Sequence, residues 1–238
     1  MLEVVMLHNV KEKISRTIGP IADYAVTGEQ VENFILARQN WHAISPAQME
    51  SYHKNKKCFL LTFDDGYLDN LTTALPILEK YEIPCIIFCT TGFVSGQAYP
   101  YEVELADVIE DHQSLVLNDQ DVECSIRELS AKKDLYNNLR KPLKSKSYYD
   151  REQFMDSLAE INNYKRSDYQ LESFLSWDDI IKLIKHPLVT IGAHTVHHEQ
   201  LPKQSLNKVF KEISESKKAI EKKINGDLSH FSYPYGSN

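Results

Sequence analysis

The chain has 238 residues, enough for one α/β domain with a full hydrophobic core and too few for two ordinary domains with a linker. Its net charge of −7 argues against a nucleic-acid partner, because nucleic-acid binding depends on Lys and Arg that neutralise phosphates. No apolar run approaches the roughly 18 residues that a membrane-spanning helix needs. We therefore expect one domain over residues 1–238 with no membrane span.

The first predicted strand runs from Val4 to Leu7 and ends in His8. Because strand-like sequence begins so close to the start, no signal peptide is predicted to precede the fold, and a cytoplasmic location is expected. If the strands are parallel, His8 lies at the edge of the sheet where α/β enzymes keep their sites. A histidine that only caps the strand end is an equally good interpretation.

The second predicted strand, Cys58 to Phe63, is continuously apolar and ends in Asp64, Asp65 and Gly66. A capping box at Thr27 to Gln30 predicts a helix before it. Two neighbouring carboxylates repel each other unless a cation or a proton lies between them. The same Asp-Asp-Gly pattern is also typical of an ordinary turn.

Strands and helices alternate in the next segment. Leu71, Leu75 and Leu78 predict a helix that packs on the sheet, and Pro84 to Phe88 predicts a third buried strand. This order is typical of a parallel sheet or barrel. Cys58, Cys85 and Cys89 lie in or beside these strands without C-x-x-C spacing, which favours buried free thiols.

The pattern changes between about residues 95 and 175, where polar helices replace the alternation. Helices are predicted at Glu102 to Asp111, Arg127 to Leu139 and Asp150 to Ile161, with a hairpin around Asn118 to Asp121. We interpret this segment as an ordered, mostly helical insertion that walls a substrate cleft. The basic stretch from Arg140 to Lys146 is flanked by acids and is interpreted as a solvated face.

A second capping box at Ser176 to Asp179 predicts a helix before the fourth strand, Leu188 to Ile191. Three histidines follow this strand, and two of them, His194 and His198, are four residues apart, so that one helical turn would direct both at one ion. Such histidine clusters also occur on solvated surfaces. Two histidines with one aspartate describe a catalytic metal site, and the other aspartate would be free to take a proton from water.

The last part of the chain contains an amphipathic helix, Gln204 to Lys223, and a fifth predicted strand, Leu228 to Tyr233. That strand leads into the segment Phe231-Ser232-Tyr233-Pro234-Tyr235-Gly236.

Three motifs together resemble the polysaccharide deacetylases, carbohydrate esterase family 4 with its NodB-homology domain. They are Thr-Phe-Asp-Asp-Gly at residues 62–66, His-Thr-x-x-His at 194–198 and Tyr-Pro-Tyr-Gly at 233–236, in the family's order and wide spacing. The resemblance implies an α/β fold of the distorted (β/α) barrel type. With five predicted strands we expect an incomplete or open barrel, whose edge is covered by the insertion or by a second subunit in a homo-oligomer.

The resemblance also implies roles for individual residues. Asp65, His194 and His198 would hold a divalent metal ion, zinc or alternatively cobalt or nickel, and Asp64 would be the general base. The backbone N–H of Tyr235 would complete the oxyanion site, and His197 would point away from the ion.

Two departures from the family pattern concern orientation of the base and proton donation. Ser232 stands where an arginine usually orients the base, and the closing Leu-x-His segment that supplies the general acid has no counterpart before Asn238. His8 is the candidate for that role.

The expected function is hydrolysis of the N-acetyl group of an amino sugar or glycan precursor, in surface polysaccharide biosynthesis. A deformylase or another linear-amide hydrolase is the enzymatic alternative, because the metal chemistry would be the same. A sugar-binding or scaffold protein without catalysis is the alternative of a different class.

Overall fold

The computed structural model describes residues 1–51, 56–117, 123–170 and 172–236. The strands in this part of the chain are β1 (Leu2–Leu7), β2 (Val10–Lys11), β3 (Val26–Thr27), β4 (His42–Ala43), β5 (Cys58–Phe63), β6 (Cys85–Cys89), β7 (Ser114–Val116), β8 (Glu123–Ser125) and β9 (Val189–Ala193). The α-helices are α1 (Gly19–Tyr24), α2 (Gly28–Leu36), α3 (Leu75–Lys80), α4 (Thr91–Val94), α5 (Tyr101–Asp111), α6 (Leu129–Lys144), α7 (Tyr148–Ile161), α8 (Trp177–Leu183) and α9 (Leu206–Ile224). Short 3₁₀ turns occupy Pro46–Gln48, Arg166–Asp168 and Leu201–Lys203, and a π-helical turn, Asn70–Ala74, leads into α3.

The central sheet has the order β1-β5-β6-β9, with β4 paired to the start of β5, and all of its pairs are parallel. All six residues of β5 are buried, which explains its uninterrupted apolar sequence, since a parallel sheet is covered on both faces. Because the strands are parallel, the residues after β1, β5 and β9 reach the same edge. The predicted α/β class and its parallel strands are confirmed.

The fifth predicted strand, Leu228 to Tyr233, is wrong as a full strand. It forms a single parallel bridge to β9 at Phe231, where Ala193 N donates to His230 O and Ser232 N donates to Ala193 O, both at 3.0 Å. The ladder ends there because the Ser232 carbonyl accepts a hydrogen bond from His194 Nδ1 at 2.9 Å. The segment therefore ties the site to the sheet. At the other end of the sheet β1 is an edge strand with Val4 and Met6 exposed.

The three helices predicted for the insertion are present as α5, α6 and α7, and β7 pairs antiparallel with β8 as a hairpin whose turn, Asn118 to Asp121, lies outside the described residues. A second hydrophobic cluster, formed by this segment together with Ile18, holds the segment together, and Leu105, Ile109 and Met155 are fully buried in it. Leu68 N donates to Ser173 O at 2.8 Å and Leu175 N donates to Gly66 O at 2.9 Å. The insertion thus returns to the sheet beside the two aspartates.

The predicted helix starts follow from side-chain caps. Thr27 and Gln30 form a capping box at α2, and Ser176 and Asp179 form another at α8. The C-terminus of α9 is capped by Asn225, which adopts the left-handed conformation with φ 51°. Over the residues that the structure describes, none of the helices combines the length and the apolarity that crossing a membrane requires.

Candidate metal and catalytic site

Four strand ends meet at the site, those of β1, β5, β6 and β9. Asp64 N donates to Leu7 O at 2.9 Å, which places the residue after β1, His8, beside the end of β5. Thr90 N donates to Asp65 O at 3.2 Å, and His194 N donates to Cys89 O at 3.0 Å, so that the end of β6 joins the aspartates to the histidines. The convergence is a direct result of parallel pairing in register.

The two aspartates are buried, and the backbone turns sharply between them. Asp64 is 4% exposed and Asp65 is 6% exposed. Asp65 has φ 74° and Gly66 has φ 82°, both in the left-handed region. In a continuing strand, consecutive side chains would point to opposite faces of the sheet. Because the chain turns here, both carboxylates line the same cleft.

His194 and His198 do converge, but the predicted helical turn between them is wrong. The segment after β9 is irregular, with Thr195 at φ 67° and His198 at φ 52°. His198 N donates to Thr195 Oγ1 at 3.0 Å, which closes the turn through a side chain. His194 Nδ1 donates to the Ser232 carbonyl, which leaves Nε2 as the nitrogen with a lone pair for a ligand.

Asp65, His194 and His198 place one ligand atom each within 4.8 Å of one another. Asp65 Oδ1 lies 3.6 Å from His194 Nε2 and 3.3 Å from His198 Nε2. This oxygen is buried, and no residue in the described part of the chain donates a hydrogen bond to it.

The protonation states also suit a cation. Burial raises the pKa of Asp65 to about 7, and burial lowers the pKa of both His194 and His198. Neutral imidazoles are metal ligands, and a cation between the three groups would offset the cost of the buried carboxylate. The donor set of two imidazole nitrogens and one carboxylate therefore fits a divalent ion of the zinc type.

His197 points away from this triad, as predicted. Its Nδ1 lies 2.7 Å from Glu212 Oε1, and its ring stacks on Tyr148 with centroids 4.5 Å apart. Glu212 also accepts hydrogen bonds from the backbone N–H groups of Val196 and His197, at 3.0 and 2.8 Å. These contacts help to fix the histidine loop.

The other predicted site residues, Asp64, His8 and Tyr235, line the same cleft as the triad. Burial raises the pKa of Asp64 to about 6, and the nearby His8 opposes that rise. Burial lowers the pKa of His8, whose ring stacks on Tyr24 at 5.7 Å. Tyr235 turns the chain with φ 67°, and its ring lies 4.7 Å from that of His198. The cleft has a volume of about 550 Å³.

The insertion adds three charged residues to the cleft that sequence reasoning missed, Glu102, Arg140 and Lys144. Glu102 accepts from the Tyr235 hydroxyl at 3.1 Å and from Arg140 Nε at 2.8 Å. Lys144 Nζ lies 4.4 Å from the centre of the Tyr235 ring.

The interpretation of Arg140 to Lys146 as a solvated face is therefore wrong for Arg140 and Lys144, because both pack against cleft residues. The four-residue spacing of these two cations on one helix face was the available signal. The sequence contains no such signal for Glu102, because acidic residues are common in the first turn of any helix.

Comparison with known proteins agrees with this geometry. A family model described as "Polysaccharide deacetylase" matches residues 51–125 and 133–238. The chain is 31% identical over 93 residues to "Putative polysaccharide deacetylase YxkH" of Bacillus subtilis (strain 168), a match that covers 36% of this chain and 33% of that protein. The chain thus matches about a third of the length of its curated relative.

Two solved structures share the fold over the whole chain. The deacetylase PplD of Streptococcus pyogenes, in complex with acetate, superposes with a TM-score of 0.59 at 15% identity and covers 100% of this chain and 75% of its own. IcaB from Ammonifex degensii gives a TM-score of 0.58 at 17% identity, with the same coverages of 100% and 75%. Because the family model covers most of the sequence, the chain belongs to the polysaccharide deacetylase family.

Proposed function

We propose that this protein is a metal-dependent hydrolase that removes the N-acetyl group from an amino sugar of a glycan or glycan precursor, in surface polysaccharide biosynthesis. The observation that carries the proposal is a buried carboxylate, Asp64, beside a triad of Asp65, His194 and His198 that fits a divalent ion. Membership of the deacetylase family supports the reaction type.

The triad would hold zinc, for which two imidazoles and a carboxylate are suitable ligands, with cobalt or nickel as the alternatives. A divalent ion bound there supplies a Lewis acid for the acetamide carbonyl and lowers the pKa of water to about 7.

The remaining chemistry belongs to residues of this chain. Asp64 takes a proton from the attacking water, and the burial that raises its pKa toward neutrality suits a general base. The backbone N–H of Tyr235, a residue that lines the cleft, donates to the oxyanion. His8 gives a proton to the leaving amine; because burial lowers its pKa, it first receives the proton that the neighbouring Asp64 took from water.

Two substitutions separate metal binding from catalysis. Asp65→Ala should lose both bound metal and acetate release, because it removes a ligand. Asp64→Asn should keep about one ion per chain and lose roughly 100- to 10,000-fold in turnover, because only the base is removed. Elemental mass spectrometry and acetate release from N-acetylhexosamine oligomers measure the two effects, and Asp178→Asn, an exposed acid on α8, is the matched control.

The same assay tests the alternatives. Release of formate from N-formyl substrates, with no release of acetate from N-acetyl substrates, would identify a deformylase. Wild-type protein that takes up no zinc, cobalt or nickel and releases no acid, yet binds the oligomers, would establish a sugar-binding protein in place of the enzyme.

A further inference from the structure

Two cations of the insertion line the cleft, and both have Glu102 as an acidic neighbour. Arg140 and Lys144 lie one turn apart on α6, and both line the cleft that contains the triad. Like charges at this spacing repel each other. Arg140 is paired with Glu102 through Nε alone, and no residue among those described bonds to its two terminal nitrogens.

Lys144 is the less compensated of the two cations. Between described residues it forms no ion pair, and its ammonium group is held over the Tyr235 ring at 4.4 Å. Burial and the neighbouring Arg140 lower the pKa of Lys144, and Glu102 opposes this shift only in part, so the like-charge pair lies in a partly desolvated place. An anion would relieve the repulsion.

Lys144 lies close to residues that we assign to the reaction. The Tyr235 ring neighbours both residues: its centre lies 4.4 Å from Lys144 Nζ and 4.7 Å from the centre of the His198 ring. A group held by Lys144 therefore lies near the triad. The cleft volume of about 550 Å³ accommodates a ligand larger than one acetamide group.

We infer that Arg140 and Lys144 form a subsite for a phosphoryl group, so that the substrate is an N-acetylated amino sugar that carries phosphate. Arg presents a planar fork of donors to phosphate oxygens and Lys adds a point charge, the usual combination at phosphate sites. The substrate class rests on the proposed deacetylation, whereas the subsite itself does not.

Steady-state kinetics of acetate release test the inference. The substrates are a neutral N-acetylglucosamine oligomer, N-acetylglucosamine 1-phosphate and UDP-N-acetylglucosamine, which separate a phosphomonoester from a nucleotide diphosphate. Lys144→Ala should raise KM for the phosphorylated substrates about 10-fold more than it raises KM for the neutral oligomer, the loss of one charge-assisted hydrogen bond. Arg140→Lys, which keeps the positive charge but removes the planar fork, should also raise KM for the phosphorylated substrates more than for the oligomer.

Lys141→Ala is the matched control, since Lys141 occupies the same last turn of α6 but is exposed and does not line the cleft. It shares the helix dipole, which attracts cations whether or not a ligand binds. Binding of UDP, measured by calorimetry on wild type, Lys144→Ala and Lys141→Ala, gives a readout that does not depend on turnover. A 10-fold weaker Kd in Lys144→Ala alone supports the subsite.

The outcomes separate the two proposals. Acetate release without preference for phosphorylated substrates, with KM and UDP binding unaffected by Lys144→Ala, would overturn the subsite and leave the deacetylase standing. UDP binding that depends on Lys144, with no acetate from any substrate, would support the subsite and overturn deacetylation.

Discussion

Backbone strain is concentrated at the site. Asp65, Thr195, His198 and Tyr235 are non-glycine residues with positive φ, a conformation that costs about 1 kcal/mol or more. Thr195 is the most constrained of them, because β-branched residues rarely adopt it. Asp65, His198 and Tyr235 are candidate site residues themselves, and Thr195 accepts the hydrogen bond that closes the turn before His198. The strain is therefore itself an argument that these positions serve a function.

His8→Ala tests the proton donor at the residue scale. If His8 protonates the leaving amine, turnover should fall roughly 100-fold or more while the metal content stays unchanged, because His8 is not in the triad. Acetate release and elemental mass spectrometry on the same sample measure both quantities. His42→Ala, an exposed histidine on β4, is the control, and wild-type turnover in His8→Ala would remove His8 from the mechanism.

At the scale of elements, Arg151 of α7 connects the insertion to the histidine loop. It is 2% exposed and donates to three backbone carbonyls: Leu143 at 3.2 Å, Lys144 at 2.9 Å and His198 at 3.1 Å. Its guanidinium group also lies over the Tyr101 ring at 4.8 Å. One side chain thus fixes both the end of α6 and the backbone of a candidate ligand.

Arg151→Met should lower the free energy of unfolding by about 3 kcal/mol, because it retains the bulk but leaves buried carbonyls without donors. The affinity for the metal should also fall, since the His198 carbonyl loses the hydrogen bond from Arg151. Urea denaturation and titration of the metal-free protein with Co²⁺, followed by visible absorption, measure the two effects. Arg127→Met, at an exposed arginine, is the control; equal stability and affinity in Arg151→Met would refute this role.

The thiols of β6 give a prediction about pH. Burial raises the pKa of Cys85 and Cys89 to about 12, from an ordinary 9.0. Both should resist a thiol reagent in the native protein at pH 8, whereas the partly exposed Cys124 reacts and Cys124→Ser removes that reaction. The folded state holds these protons more tightly than the unfolded state, so the free energy of unfolding should fall as pH rises above 9.0.

Denaturation at pH 8 and pH 10 measures that fall, and Cys89→Ala should reduce it. An equal fall in the variant would show that other groups cause the loss of stability.

For the whole molecule, the sequence predicted what depends on local pattern. The parallel strands and the meeting of Asp64 and Asp65 with His194 and His198 follow from apolar runs that end in polar residues, whereas the helices of the insertion follow from polar stretches of helical pattern. The irregular turn at Thr195 could not be predicted, because a side-chain hydrogen bond and left-handed backbone replace the helical pattern.

The contribution of the insertion was missed for a different reason. Glu102, Arg140 and Arg151 reach the site only through the packing of α5, α6 and α7 on one another. The spacing of Arg140 and Lys144 places both on one face of α6, but the sequence does not reveal that this face meets a cleft formed by other elements. Residues of this kind become visible only when the tertiary contacts are known.

The separate hydrophobic cluster of the insertion has a consequence for motion. A segment with its own core can open as one cooperative unit while the sheet remains folded, and its amide hydrogens would then exchange together. Because Arg151 binds the carbonyl of His198, that opening would release a candidate ligand as well as the wall of the cleft. Ligand binding in the cleft and the order of the loop that carries His194 and His198 would then be coupled through a single local unfolding equilibrium.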